Sequence, residues 1–150
     1  MSAPAKQRQI DRILALLEAM KVAGTVRAVD RVTKPVTIAP LLPALQVVVG
    51  PEDVQSDEED TQGYLIEYVV AITAIDSAGK DADRLSKIDT LTAAIQVAIE
   101  GDHQLASLAR WIKYQGDDPF YSEDSKPLCG NTLTYLVQYR RRRGAPSVIY

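Results

Sequence analysis

Four consecutive arginines, Arg140, Arg141, Arg142 and Arg143, close the stretch TLTYLVQYRRRRG in a chain whose formal net charge is -3. Guanidinium groups are planar forks that grip phosphates and carboxylates. The run therefore suits a nucleic-acid path, an acidic partner, or a charged strand end that discourages edge pairing. If the stretch is a strand, Arg140 and Arg142 project to one side and Arg141 and Arg143 to the other, so they form no single palm. Four charges in an acidic protein are thin support for tight DNA binding, because affinity scales with the phosphates neutralised. The opposite charge is concentrated in EDVQSDEED, residues 52–60, which holds six acids and no base. Its core is Asp57, Glu58, Glu59 and Asp60. An arginine pair meeting this acidic loop on a neighbouring copy is the sharper expectation, with lumen lining as the alternative.

Other chemistry finds little material. The eight glycines are never closer than 13 residues apart, which excludes the clustered glycines of dinucleotide and Walker-type phosphate loops. No serine sits in GxSxG, and a triad would have to recruit the lone His103 from the polar stretch EGDHQLAS, where a surface role is expected. Cys129 is the single cysteine, so neither an intrachain disulfide nor a Cys/His zinc site is expected, and no cofactor is implied. Asp117 and Asp118 are adjacent in a polar segment, which does not give paired carboxylates their contrasting environments. Trp111, Tyr114, Phe120 and Tyr121 share that segment with four acids, which favours core or interface packing over base stacking.

The elements that position these residues follow from periodicity. AKQRQIDRILALLEAMK places Ile10, Ile13, Leu14, Leu17 and Met20 at helical spacing and predicts an amphipathic helix ending near Gly24. TVRAVDRV is strand-like. Pro35, Pro40 and Pro43 then predict an extended linker before a strand at Val47, Val48 and Val49, stopped by Gly50. Residues 51–62 are expected to form an exposed acidic loop.

YLIEYVVAITAID reads as a long strand, with Tyr64, Ile66, Tyr68, Val70, Ile72 and Ala74 on a wholly apolar face. At roughly 40 Å it exceeds the usual strand and is expected to reach past its own core. A second helix over DADRLSKIDTLTAAIQVAIEGD carries the stripe Leu85, Ile88, Leu91, Ile95, Ala98 and Ile99 and stops at Gly101. WIKYQ is expected as a short strand, followed by a turn-rich stretch. A last strand over Thr132–Arg143 puts Leu133, Tyr135, Val137 and Tyr139 on one face.

At 150 residues and 46% hydrophobic, the chain is expected to be one domain over 1–150. With no regular βαβ alternation, the expected class is α+β: a mostly antiparallel β-sheet with two helices packed on one face. Nothing approaches ~20 consecutive apolar residues, and the N-terminus lacks a signal-peptide core, so a soluble protein made inside the cell, with no membrane partner, is expected.

In this order the segments resemble the tail terminator, or tail completion, proteins of long-tailed bacteriophages, the group that includes the minor tail protein U family. The resemblance covers nearly the whole chain and is carried by three parts: the helix RLSKIDTLTAAIQVAIEGD, the step HQLASLARWIKYQ and the closing strand TYLVQYRRRRG. Ala106 and Ser107 stand where the family's step is expected to have a glycine, and the arginine run is longer. The resemblance implies a non-enzymatic virion protein, assembled in the bacterial cytoplasm. Its homo-oligomeric ring, commonly a hexamer, would end the tail tube at the head-proximal end of the phage tail. Its implied partners are the tail tube protein and the head-tail connector or stopper, with DNA passing through the lumen without specific binding. A head-completion or neck protein of the adaptor or stopper kind, and a small ligand-binding α+β domain, are the alternatives.

Overall fold

The computed structural model describes residues 3–33, 41–56, 63–77, 81–122 and 128–150. The first helix, α1, spans Ala5–Val22, and its buried stripe Ile10, Ile13, Leu17 and Met20 is the one its spacing predicts. Past Ala23 the chain reverses at Gly24, whose φ of +81° is open to glycine without strain. The second helix, α2, spans Asp81–Glu100 and buries Ile88, Leu91, Ile95 and Ile99. Leu85, expected in the same stripe, is 68% exposed.

The strands are β1 (Ala28–Arg31), β2 (Ala44–Val49), β3 (Asp53–Ser56), β4 (Gly63–Ser77), β5 (Trp111–Ser122), β6 (Leu128–Arg142) and β7 (Ala145–Ile149). They form one sheet in the order β1-β2-β4-β6-β5, with β3 added beside β4 and β7 beside β6. Every pairing is antiparallel except β1 with β2. The α+β class and the mostly antiparallel sheet are as the sequence predicts.

Strands β4 and β6 form the spine, in register from Gly63 opposite Arg142 to Ser77 opposite Leu128. Their apolar faces bury Ile66, Tyr68, Val70, Ile72 and Ala74 from β4 and Leu133, Tyr135, Val137 and Tyr139 from β6. Both helices contribute to the same core. Each large apolar side chain buried there contributes roughly 1.5–3 kcal/mol relative to exposure. The opposite face carries Thr73, whose hydroxyl meets that of Thr132 across the two strands at 2.9 Å.

Three expectations are corrected. The strand predicted as WIKYQ runs on through the segment read as turns, to Ser122. A bulge between Tyr114 and Gly116, with φ +138° at the glycine, resets the register so that pairing with β6 continues. The long strand, expected to reach past its own core, is paired with β6 along its whole length. Finally, part of the acidic segment is strand: β2 ends opposite Val70, so the chain folds back and Asp53–Ser56 occupies the vacant side of β4 near Leu65–Glu67. Residues 57–62 lie outside the described residues.

Candidate functional site

The arginine run begins inside β6 and ends in the turn before β7. Arg140, Arg142 and Arg143 are exposed and Arg141 is half-buried. Alternation divides Arg140, Arg141 and Arg142, which lie in β6, and Arg143 follows in the turn. The guanidinium carbons of Arg141 and Arg143 both lie over the ring of Tyr64, at 5.1 and 4.9 Å from its centroid. Tyr64 is the direct cross-strand partner of Arg141. On the other side, Arg140 and Arg142 have no carboxylate within ion-pair distance among the described residues, where the ion pair is Arg12 with Asp102.

Asp57, Glu58, Glu59 and Asp60 lie outside the described residues. The base of their segment is described, and it sits at the same end of the sheet as the arginines. Asp53 is paired with Glu67, which faces Gln138 of β6. Glu52 accepts a 2.7 Å hydrogen bond from the Tyr139 hydroxyl. Burial first, and this carboxylate second, push the Tyr139 hydroxyl well above the usual tyrosine range.

The step between α2 and β5 is an unusual piece of backbone. Leu105, Ala106 and Ser107 have φ of 49°, 56° and 66°, a left-handed turn made of three non-glycine residues. Side chains cost roughly 1–2 kcal/mol per residue in this region. Several contacts hold it there. The buried Leu105 anchors it to the core, and the Ala106 N–H donates to Asp102 Oδ1 at 2.9 Å. Arg12 Nε donates to the other oxygen of Asp102 at 2.8 Å. Burial opposes ionisation of Asp102, but the Ala106 bond and Arg12 prevail and hold its carboxyl below the usual range.

Gln9 of α1 supplies a further fastening. It is fully buried, donates through Nε2 to the Leu108 carbonyl at 2.7 Å, and accepts from the Tyr68 hydroxyl at 2.8 Å. The helix, the central strand and the step are thereby joined. The left-handed φ values also give a physical reason for the glycine expected at Ala106 and Ser107.

The step delivers Arg110 to the edge of β6, where its N–H donates to Gln138 O at 2.8 Å. Strand β7 takes up the same edge further on, with Ile149 opposite Arg141. At this junction of β5 and β7 lies a hollow of about 430 Å³, lined by Ser107, Arg110, Arg140 and Tyr150 among others. Tyr150 reaches across to β4, where its ring lies so close to Gly63 that a Cβ there would collide with it. Arg8 of α1 donates to the Ser147 carbonyl and ties β7 down from the helix side.

A second cavity, of about 620 Å³, opens at the far end of the same sheet, between α2 and the distal half of β5 and β6. Leu85, Phe120 and Tyr121 form its apolar walls, and Asp89, Asp117 and Asn131 its polar ones. The sequence carries no signal for Asn131 or for a link between Asp117 and Asp89, because the register shift between Tyr114 and Gly116 decides which face of β5 Asp117 occupies. The aromatic residues divide between the faces. The Lys113 ammonium lies 4.3 Å from the Trp111 centroid, Tyr114 packs on Tyr135, and Phe120 covers Gly130. They form no continuous stacking platform. His103 is exposed and contributes its carbonyl to the Ile112 N–H, while Cys129 is buried.

Among the described residues no group of three or more His, Cys, Asp or Glu is placed to hold a metal ion. No described helix is long and apolar enough to cross a membrane.

No protein-family profile and no curated protein sequence matches the chain. Among solved structures it is similar to a chain from the virion of a native gene transfer agent particle. The two are 18% identical over 84% of this chain and 90% of that one, with a TM-score of 0.43.

Proposed function

We propose that the chain is a structural, non-enzymatic subunit of a phage or phage-derived particle. Copies of it would form a ring, commonly sixfold, that ends the tail tube and joins it to the head or its connector. The observation that carries this reading is the pair of unlike edges on one sheet. Strand β5 presents a 12-residue edge on one side and β1 a four-residue edge on the other. A head-to-tail interface needs two such different surfaces, and it yields a ring where the rotation between neighbours closes. An α+β protomer, which the resemblance also implies, agrees with the observed class of fold.

In this reading the tube protein and the connector or stopper bind the two faces of the ring. The exposed arginines stand at a contact between subunits, while DNA passes through the lumen without specific binding. A net charge of -3 fits passage better than capture.

The test is the solution mass of the purified chain by light scattering at low and high salt, with electron microscopy of the largest species. A ring-sized particle that dissociates with salt, and that is lost when Arg140, Arg141, Arg142 and Arg143 are all changed to Ser, is expected. A chain that stays monomeric and also fails to bind the ends of isolated tail tubes refutes the proposal.

A further inference from the structure

The cavity between α2 and the distal half of β5 and β6 is lined by a buried side-chain amide whose oxygen has no hydrogen-bond partner among the described residues. Its walls Leu85, Phe120 and Tyr121 are apolar, and Leu85 and Tyr121 remain 68% and 43% exposed. At its polar side, Asn131 is 4% exposed and donates through Nδ2 to Asp117 Oδ2 at 2.9 Å and to Thr92 Oγ1 at 3.1 Å. A carboxylate only accepts, so this bond fixes which way the amide faces. It leaves Asn131 Oδ1 buried without a hydrogen-bond partner among the described residues. Asp89 and Asp117 add two exposed carboxylates, and the described lining contains no cation. An unpaired buried carbonyl and two carboxylates beside aromatic walls favour a planar cation on an apolar stem.

We propose that this cavity is a socket for an arginine side chain from the arginine-bearing end of β6 in a second copy of the chain. The identity of the occupant as a second copy rests on the ring reading; the cationic character of the socket does not. Arg140 and Arg142 are exposed and have no carboxylate partner among the described residues. Both lie on the strand that carries Asn131, but 11 residues from Asn131 to Arg142 span roughly 37 Å, so these arginines cannot fill the socket of their own chain. Plug and socket therefore stand at opposite ends of one molecule, as a repeating head-to-tail contact requires. The acidic segment beginning at Glu52 is a poorer mate, because its described base lies at the arginine end of its own sheet.

The test uses two variants of the full chain, R140S/R142S without the plug and D89N/D117N without the acidic socket. The second keeps an acceptor for the Asn131 amide. Each variant alone should lose the multimers of the parent chain, and an equimolar mixture should form 1:1 dimers and nothing larger, because one plug and one socket survive. Variants that assemble like the parent overturn the socket while leaving a ring intact. If the parent chain is itself monomeric, a synthetic peptide of residues 138–144 is titrated against it while the Asn131 side-chain amide is followed by NMR. The amide resonance should shift, and D89N/D117N should weaken binding by roughly tenfold or more. No shift, or equal binding by a peptide carrying lysines in place of the arginines, overturns the assignment.

Discussion

Replacing Tyr68 by Phe removes one oxygen from the centre of the molecule and tests how the step that carries Arg110 is fastened. The Tyr68 hydroxyl donates to Gln9 Oε1 at 2.8 Å, and Gln9 is fully buried, so no water replaces the lost donor. An acceptor left unpaired in such a place costs about 1–3 kcal/mol. With about 2 kcal/mol lost, Tm should fall by roughly 4–8 °C for a chain of this size. Gln9→Leu should cost more, because it orphans both the Tyr68 hydroxyl and the Leu108 carbonyl that accepts from Nε2 at 2.7 Å. In the double variant only the Leu108 carbonyl is left unpaired. The two changes should then fall short of additivity by about 1–2 kcal/mol. Urea unfolding of the four proteins of this cycle gives the coupling directly. Additive losses, or a Tyr68→Phe protein within about 0.3 kcal/mol of the parent, would refute the buried clamp.

Three further outcomes follow from the same geometry. Ala106→Gly should be neutral or stabilising by up to about 1 kcal/mol, since φ of 56° suits glycine; Ala93→Gly, on the exposed side of α2, should cost about 1 kcal/mol in the same unfolding assay. Gly130→Ala should destabilise by more than about 2 kcal/mol, because the new Cβ would overlap both the Phe120 ring and the Ala74 carbonyl, and thermal unfolding measures the loss. For Asp102, whose folded pKa lies below its ordinary 3.8, the stabilisation is complete above the unfolded value and disappears as pH falls through the folded one. Asp102→Asn should therefore flatten the stability profile below about pH 5, by less than about 1 kcal/mol because the Arg12 side chain is 40% exposed.

What the sequence disclosed of this molecule depended on whether a signal was periodic or positional. The apolar faces of β4 and β6 were legible because alternation over a long run admits one register with the core, and a slip by one residue would expose Tyr68, Tyr135 and Tyr139 together. The helices were legible for the same reason at a different period. Strand β5 was not, since the bulge before Gly116 breaks the alternation and Asp117, Asp118 and Pro119 have turn-forming chemistry; only the partner strand β6 makes an edge strand of them. Strand β3 was hidden similarly, as four polar-flanked residues that pair because β2 stops short.

The two hollows arise from these same places. One forms where β5 gives way to β7 along β6, and the other where the bulged half of β5 meets α2. Residues as ordinary in sequence as Ser107, Arg110, Asp117 and Asn131 gain their chemistry there from tertiary position alone. The arginine run was conspicuous in sequence and its division by alternation was derivable. That Arg141 and Arg143 would pack on Tyr64 while Arg140 and Arg142 have no carboxylate partner among the described residues is visible only once β4 is paired with β6. The proposed assembly contact would use Arg140 and Arg142, beside a strand end where Arg141 and Arg143 pack on the Tyr64 ring.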